Sequence, residues 1–267
     1  MGELVLVGLG LHSEKSMSLQ GLEEAKTADY MFAEFYTSLM PELSIPSLER
    51  LVKKRITILH RKDLEDDCGK KILNAAGKGK TVLLVPGDPL IATTHVDLRI
   101  RTERQGIKTR IVHGASIVSA VIGLSGLQNY KFGRSVTIPF TDAGVVADTA
   151  YDAIEENKKR GLHTLCFLDL KAEEKRYMIV TEGLQALLNV EKQKYKRVVT
   201  SETIVVGVAR AGSDSPAIKA NTLEALLKTN FGGPPHTLVF PGKLHFMESE
   251  ALIVLAKAPD SVKELVE

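Results

Sequence analysis

The chain has no tryptophan and only two cysteines, Cys68 and Cys166, in 267 residues. Two thiols so far apart, with no CxxC pair, give neither a disulfide framework nor a zinc signature. They fit a reducing, cytoplasmic compartment. The seven histidines show no ligand spacing, so no metal site is expected. Charge of one sign is scarce too. The formal net charge is +2, too small for the electrostatic footprint of a nucleic-acid protein. Long hydrophobic runs are missing. The longest mostly apolar stretch, Ile117–Leu127, is broken by serines and glycines and falls short of the roughly 20 residues a bilayer-spanning helix needs. The amino terminus lacks the basic region of a signal peptide. No internal repeat or low-complexity segment is evident. Nucleic acid, membrane and metal are therefore not expected as direct partners.

What is present is the balance of a soluble globular protein, with 44% apolar and 25% charged residues. A chain of this length buries roughly three quarters of its extended surface. The first half alternates short β-rich runs with helical patterns. The runs are Leu4–Val7, Tyr30–Phe35, Arg55–Leu59, Thr81–Val85 and Thr109–Val112. The helical patterns are Ser18–Thr27, Ser47–Lys54, Asp67–Ala76 and Ala92–Arg104. Several runs are continuously apolar, as strands buried on both faces are. This alternation predicts βαβ units and a largely parallel sheet. Ligands bind such sheets outside the carboxyl ends of the strands. The loops Gly8–Ser13, Pro86–Pro89 and Gly114–Ser116 all follow strands and belong on that edge.

The second half has a different rhythm, with strand-like runs at Ser135–Pro139, Thr164–Leu168, Thr203–Ala209, Ala217–Ala220 and Thr237–Phe240. The expected fold class is α/β in two domains, 1–113 with a largely parallel sheet and 114–267 with a mixed one. After Ala220 a helix is expected, with Asn221 and Glu224 as its capping box and Leu223, Leu226 and Leu227 as its apolar face. Gly232–Gly233 would end it.

Several motifs invite a chemistry and fail on context. Gly8-Leu9-Gly10 opens like a dinucleotide turn, but Ser13 stands where the third glycine is needed. That disfavours a nicotinamide oxidoreductase, although a tight turn with close backbone approach still calls for glycine. Gly79-Lys80-Thr81 ends like a phosphate loop, yet Asn74 replaces its first glycine and the segment enters a strand. Gly123–Leu127 is one residue off a nucleophile elbow. Pro86-Gly87-Asp88-Pro89 is more informative. Two prolines fix a loop on the functional edge, glycine permits close ligand approach, and a carboxylate is carried there. Thr93-Thr94-His95 opens the next helix, with Arg99 one turn beyond, and His95 is a candidate substrate contact. Lys192, Lys194, Lys196 and Arg197 around Tyr195 read as a solvated loop.

Together, GLGL after the first strand, PGDP after the fourth and a two-domain α/β chain of this size resemble the tetrapyrrole-methylase-like methyltransferases. Within that group the resemblance to the diphthine synthases runs nearly end to end. It rests on Phe32–Ser38 (FAEFYTS), Pro86–His95 (PGDPLIATTH), Leu98–Arg101 (LRIR), Phe167–Ala172 (FLDLKA), Ala209–Ser213 (ARAGS), Gly232–His236 (GGPPH) and Pro241–His245 (PGKLH). The resemblance implies S-adenosylmethionine as methyl donor, bound in a cleft between the two domains, with S-adenosylhomocysteine as product. It implies cofactor contacts at Leu11, Asp88, Ile91, Ser116, Ile117, Leu168, Ala211 and His236. The implied substrate is translation elongation factor 2, methylated on the amino group of a modified histidine in diphthamide biosynthesis, three times in the archaeal kind. A cytoplasmic homodimer is implied as well. No catalytic base is assigned. Gly114-Ala115 precedes Ser116 where the family pattern leads one to expect a proline, a change in loop stiffness more than in chemistry. Two other readings stay open: a corrinoid or tetrapyrrole-precursor methyltransferase of the same fold, and a non-catalytic nucleotide-binding module.

Overall fold

Leu4, Val5, Leu6 and Val7 form an apolar run without alternation, and all four are fully buried in strand β1 (Glu3–Gly8) of a computed structural model describing residues 2–267. The reason is that both faces of the strand are covered. Leu4 and Leu6 enter one hydrophobic core with Ile72, Leu83 and Leu98, while Val5 and Val7 enter another with Leu48, Val82 and Leu84. Successive side chains of a strand point to opposite faces, so a strand between two helical layers must be apolar throughout.

After β1 come α1 (Leu19–Lys26), β2 (Tyr30–Glu34), α2 (Ile45–Val52), β3 (Thr57–Leu59), α3 (Arg61–Leu64), α4 (Lys70–Ala76), β4 (Lys80–Val85), α5 (His95–Arg104) and β5 (Lys108–Val112). The five strands pair in the order β3-β2-β4-β1-β5, and every pairing is parallel. Helix starts differ from the sequence pattern for local reasons. Ser44 caps α2, its hydroxyl accepting from the Ser47 amide at 3.3 Å, and Pro46 is tolerated in the first turn. Ala92 has φ of 56°, outside the helical region, so α5 begins only at His95.

The second half carries α6 (Ile117–Ser125), β6 (Val136–Ile138), α7 (Asp148–Lys159), β7 (Thr164–Leu168), β8 (Leu170–Lys171), β9 (Arg176–Tyr177), α8 (Val180–Lys194), β10 (Ile204–Ala209), β11 (Ala217–Thr222), α9 (Leu223–Leu227), β12 (His236–Phe240) and α10 (Phe246–Ala256). Its five-stranded sheet has the order β11-β10-β12-β7-β6. Only β6 and β7 are parallel, so this sheet is mixed. Tyr151, Ile154, Leu184, Leu187 and Leu238 anchor its core. The chain divides into two compact units, one running to Ile117 with Ala172–Glu174, the other comprising Val118–Lys171 and Lys175–Glu267.

Two local expectations are corrected. The cap of α9 is Thr222, whose hydroxyl accepts from the Ala225 amide, because pairing with β10 extends β11 through Asn221 and Thr222. The helix also stops at Leu227, well before Gly232. The basic stretch after Val190 is largely the end of α8: Lys194 pairs with Asp148 and Asp152 on α7, and Lys196 with Glu155.

Candidate active site

The carboxyl edge of the parallel sheet is built from three glycine turns in direct backbone contact. The Gly10 amide donates to the Gly87 carbonyl at 3.1 Å, and the Gly87 amide returns a bond to the Gly10 carbonyl at 2.8 Å. A Cβ on Gly8 would come within 2.6 Å of both the Gly114 nitrogen and the Gly87 oxygen. No side chain fits there, which is why the turns after β1, β4 and β5 can close together. Gly87 itself has φ of 69°, in the left-handed region that favours glycine. A Cβ there would meet only the Ala115 oxygen, at 3.9 Å, so this flank of the backbone is open to close approach.

The residues implied in the first unit cluster on that edge. Leu11 follows the first turn, and its carbonyl accepts from the Ser16 hydroxyl. Ile91 is exposed, Ser116 is buried, and Ile117 opens α6 half-buried. Exposed backbone beside apolar side chains suits a ligand that is part nucleoside and part thioether. Asp88 is only 7% exposed, and its carboxylate is already engaged. One oxygen accepts from the Leu90 amide at 3.0 Å, the other lies 2.6 Å from Nδ1 of His113. Sequence reasoning missed His113. The available signal was its position, directly after β5 on the edge where Asp88 was expected.

His95 proves to support the loop from below. It is buried, and its Nδ1 lies 3.1 Å from the Pro89 carbonyl, which also accepts from the Thr93 hydroxyl at 2.7 Å. A carbonyl can only accept, so Nδ1 carries the proton. Nε2 then faces Glu34 at 3.8 Å without a hydrogen bond. Glu34 is fully buried at the end of β2, where its carboxylate accepts from the Tyr36 and Thr37 amides and the Thr37 hydroxyl. Burial pushes its pKa up to about 7 against these bonds, and burial likewise lowers that of His95.

In the second unit, Leu168, Ala211 and His236 share one sheet edge. Leu168 ends β7, Ala211 lies two residues beyond β10, and His236 starts β12 opposite Ala209. Both ring nitrogens of His236 are occupied: Nδ1 accepts from the Val180 amide at 3.2 Å, and Nε2 donates to the Gly233 carbonyl at 3.0 Å. Burial pushes its pKa down, so the ring is held neutral. Arg210 steadies the same loop, its guanidinium donating to the Phe231 and Gly233 carbonyls. Among the described residues no group of three His, Cys, Asp or Glu side chains could hold a metal ion.

The family model for tetrapyrrole (corrin/porphyrin) methylases matches residues 3–227. A diphthine synthase of Methanocella arvoryzae is 47% identical over 253 residues, spanning 95% of this chain and 98% of that protein. A diphthine synthase of Methanothermobacter thermautotrophicus is 41% identical over 261 residues, 98% of each chain. A solved crystal structure of diphthine synthase superposes with a TM-score of 0.89 at 41% identity, covering 98% of this chain and 99% of that one.

Proposed function

The chain belongs to the tetrapyrrole (corrin/porphyrin) methylase family and, within it, to the diphthine synthases, and from that premise we propose that it methylates the amino group of a modified histidine on translation elongation factor 2, using S-adenosylmethionine. It is a methyltransferase of diphthamide biosynthesis. The observation that carries the finer reading is the meeting of three glycine turns at the carboxyl edge of the parallel sheet. That is where such a sheet binds its ligand.

The residues present fit the cofactor. Gly87 leaves backbone open to close approach, Ile91 and Leu11 offer apolar surface, and Ser116 with the loop amides suits the amino-acid end. Leu11, Asp88, Ile91, Ser116 and Ile117 are the proposed contacts from the first unit, with Leu168, Ala211 and His236 as further contacts from the second. His236 would contribute its ring face or backbone, since both nitrogens are committed. When bound, the cofactor supplies a methyl group on a sulfonium that needs no further activation. The larger part of the work left to the protein is alignment, which is worth effective molarities of about 10⁵–10⁸ M. The bonds from Thr93 and His95 to the Pro89 carbonyl hold the Asp88 loop in one position for that purpose.

A homodimer belongs to this reading. Phe246, Met247, Val254 and Leu255 leave an apolar stripe exposed on α10, of the kind that marks an interaction surface. So does a cytoplasmic location, which suits two free cysteines. No helix among the described residues is long and apolar enough to cross a membrane.

The test is mass spectrometry of elongation factor 2 carrying the unmethylated precursor, incubated with this protein and S-adenosylmethionine. The expected gain is three methyl groups, from enzyme that light scattering finds as a dimer. An unchanged factor, with methylation of a corrinoid precursor instead, overturns the reading.

A further inference from the structure

We propose that His113 is the base that takes the proton from the acceptor amine, with Asp88 as its positioning residue. This rests on the reading above that the acceptor is an amine. The geometry is that of an oriented imidazole. Nδ1 lies 2.6 Å from an Asp88 carboxylate oxygen. A carboxylate accepts, so Nδ1 carries the proton, and the tautomer this selects has its lone pair on Nε2. The Asp88 side chain is 7% exposed, whereas that of His113 is 73% exposed. The orienting group is thus buried and fixed, while the free nitrogen stands at the surface. Asp88 is itself anchored by the Leu90 amide.

Location supports the role. Asp88 adjoins Gly87, and His113 adjoins Gly114, so the pair rims the glycine turns where the methyl donor is proposed to lie. The other two buried-loop histidines cannot serve. His95 is buried with Nδ1 given to Pro89, and both nitrogens of His236 are hydrogen-bonded.

The chemistry requires a proton acceptor. An α-amino group titrates near pH 8, so about nine tenths reaches the site as ammonium at pH 7. His113 Nε2 takes one proton from that ammonium, freeing the nitrogen lone pair. The lone pair forms the new bond to the methyl carbon as the carbon–sulfur bond breaks, and that electron pair stays on sulfur as a neutral thioether. The methylated nitrogen is again cationic and again carries protons. One must pass to Nε2 before the next transfer. The imidazolium so formed keeps its Nδ1 proton against the Asp88 carboxylate and releases the Nε2 proton to water. Three transfers remove three protons, and the quaternary product has none left.

The test uses the full-length protein with His113→Ala and His113→Gln, S-adenosylmethionine and precursor-bearing elongation factor 2. The expected result is kcat lowered by about 10²–10⁴-fold, the usual worth of a general base. Calorimetric affinity for S-adenosylhomocysteine should be unchanged, circular dichroism should be unchanged, and added imidazole should restore turnover to His113→Ala. Independently of activity, diethyl pyrocarbonate should acylate His113 in the free wild-type protein, located by peptide mass spectrometry. Full activity of both variants overturns the inference. So does a loss that follows weakened cofactor binding and resists imidazole, and so does a His113 that the reagent leaves untouched. If the wild-type protein itself leaves the factor unmethylated, the substrate reading fails and takes this inference with it. That outcome is distinguishable from an active wild type with equally active variants.

Discussion

Replacing Glu34 by glutamine should flatten the pH dependence of stability between pH 4.5 and about 7. Glu34 is fully buried at the end of β2, and burial raises its pKa from 4.5 to about 7. The unfolded chain releases this proton near pH 4.5, while the folded chain holds it until about pH 7. The associated stability is complete below pH 4.5 and is lost as pH rises through the folded value. At about 1.4 kcal/mol per pH unit, that interval is worth at most about 3–4 kcal/mol. Glutamine reproduces the protonated carboxyl. Its oxygen can accept from the Tyr36 and Thr37 amides, and its NH₂ can face the Thr37 hydroxyl and the unpaired His95 Nε2. Burial lowers the pKa of His95, so its own contribution to stability changes with pH in the opposite sense. His95 is present in both proteins, and the difference between them reports Glu34 together with its contact to His95. Urea unfolding from pH 4.5 to 8 is the assay. The variant should gain on the parent by up to about 3–4 kcal/mol across that range. Parallel curves for the two proteins would refute the assignment of a buried, largely protonated Glu34.

Gly87→Val should strain a backbone held at φ of 69°, costing about 1–3 kcal/mol of stability. It should also fill the open flank of the turn, and calorimetry should find S-adenosylhomocysteine bound at least about tenfold more weakly, or ~1.4 kcal/mol. Glu248→Ala should lower stability in the second unit by about 3–5 kcal/mol, read from a thermal melt. That buried carboxylate accepts from the Gln128 and His245 amides and from His163, and it pairs with Lys131 at 3.1 Å. Burial opposes its ionisation, but these partners outweigh burial and hold its pKa below the ordinary 4.5. Its contribution is therefore present above pH 4.5 and lost as pH falls through the lower folded value, a loss the alanine variant should not show.

The unbroken apolar run of β1, the alternation of strands and helices and the three turns after strands are local patterns. Each reports its own surroundings: a strand buried on both faces is apolar throughout, and a turn that must bend sharply carries glycine. The parallel first sheet, the mixed second sheet and the edge bearing Gly8, Gly87 and Gly114 were therefore legible from residues alone. So were Leu11, Asp88 and Ser116 as occupants of that edge. What no local pattern carries is which polar groups meet. Asp88 and His113 are 25 residues apart, and Glu248 is 120 residues from the Gln128 amide it accepts from. In sequence, Glu34 and Glu248 look like ordinary solvated side chains, and His95 like a candidate substrate contact at a helix start. Only the tertiary structure buries them, because strand order and helix packing decide which distant donors reach each carboxylate. Without those donors, removing such groups from water would cost too much. The same long-range closure turns an unremarked histidine after β5 into an imidazole oriented by a buried aspartate.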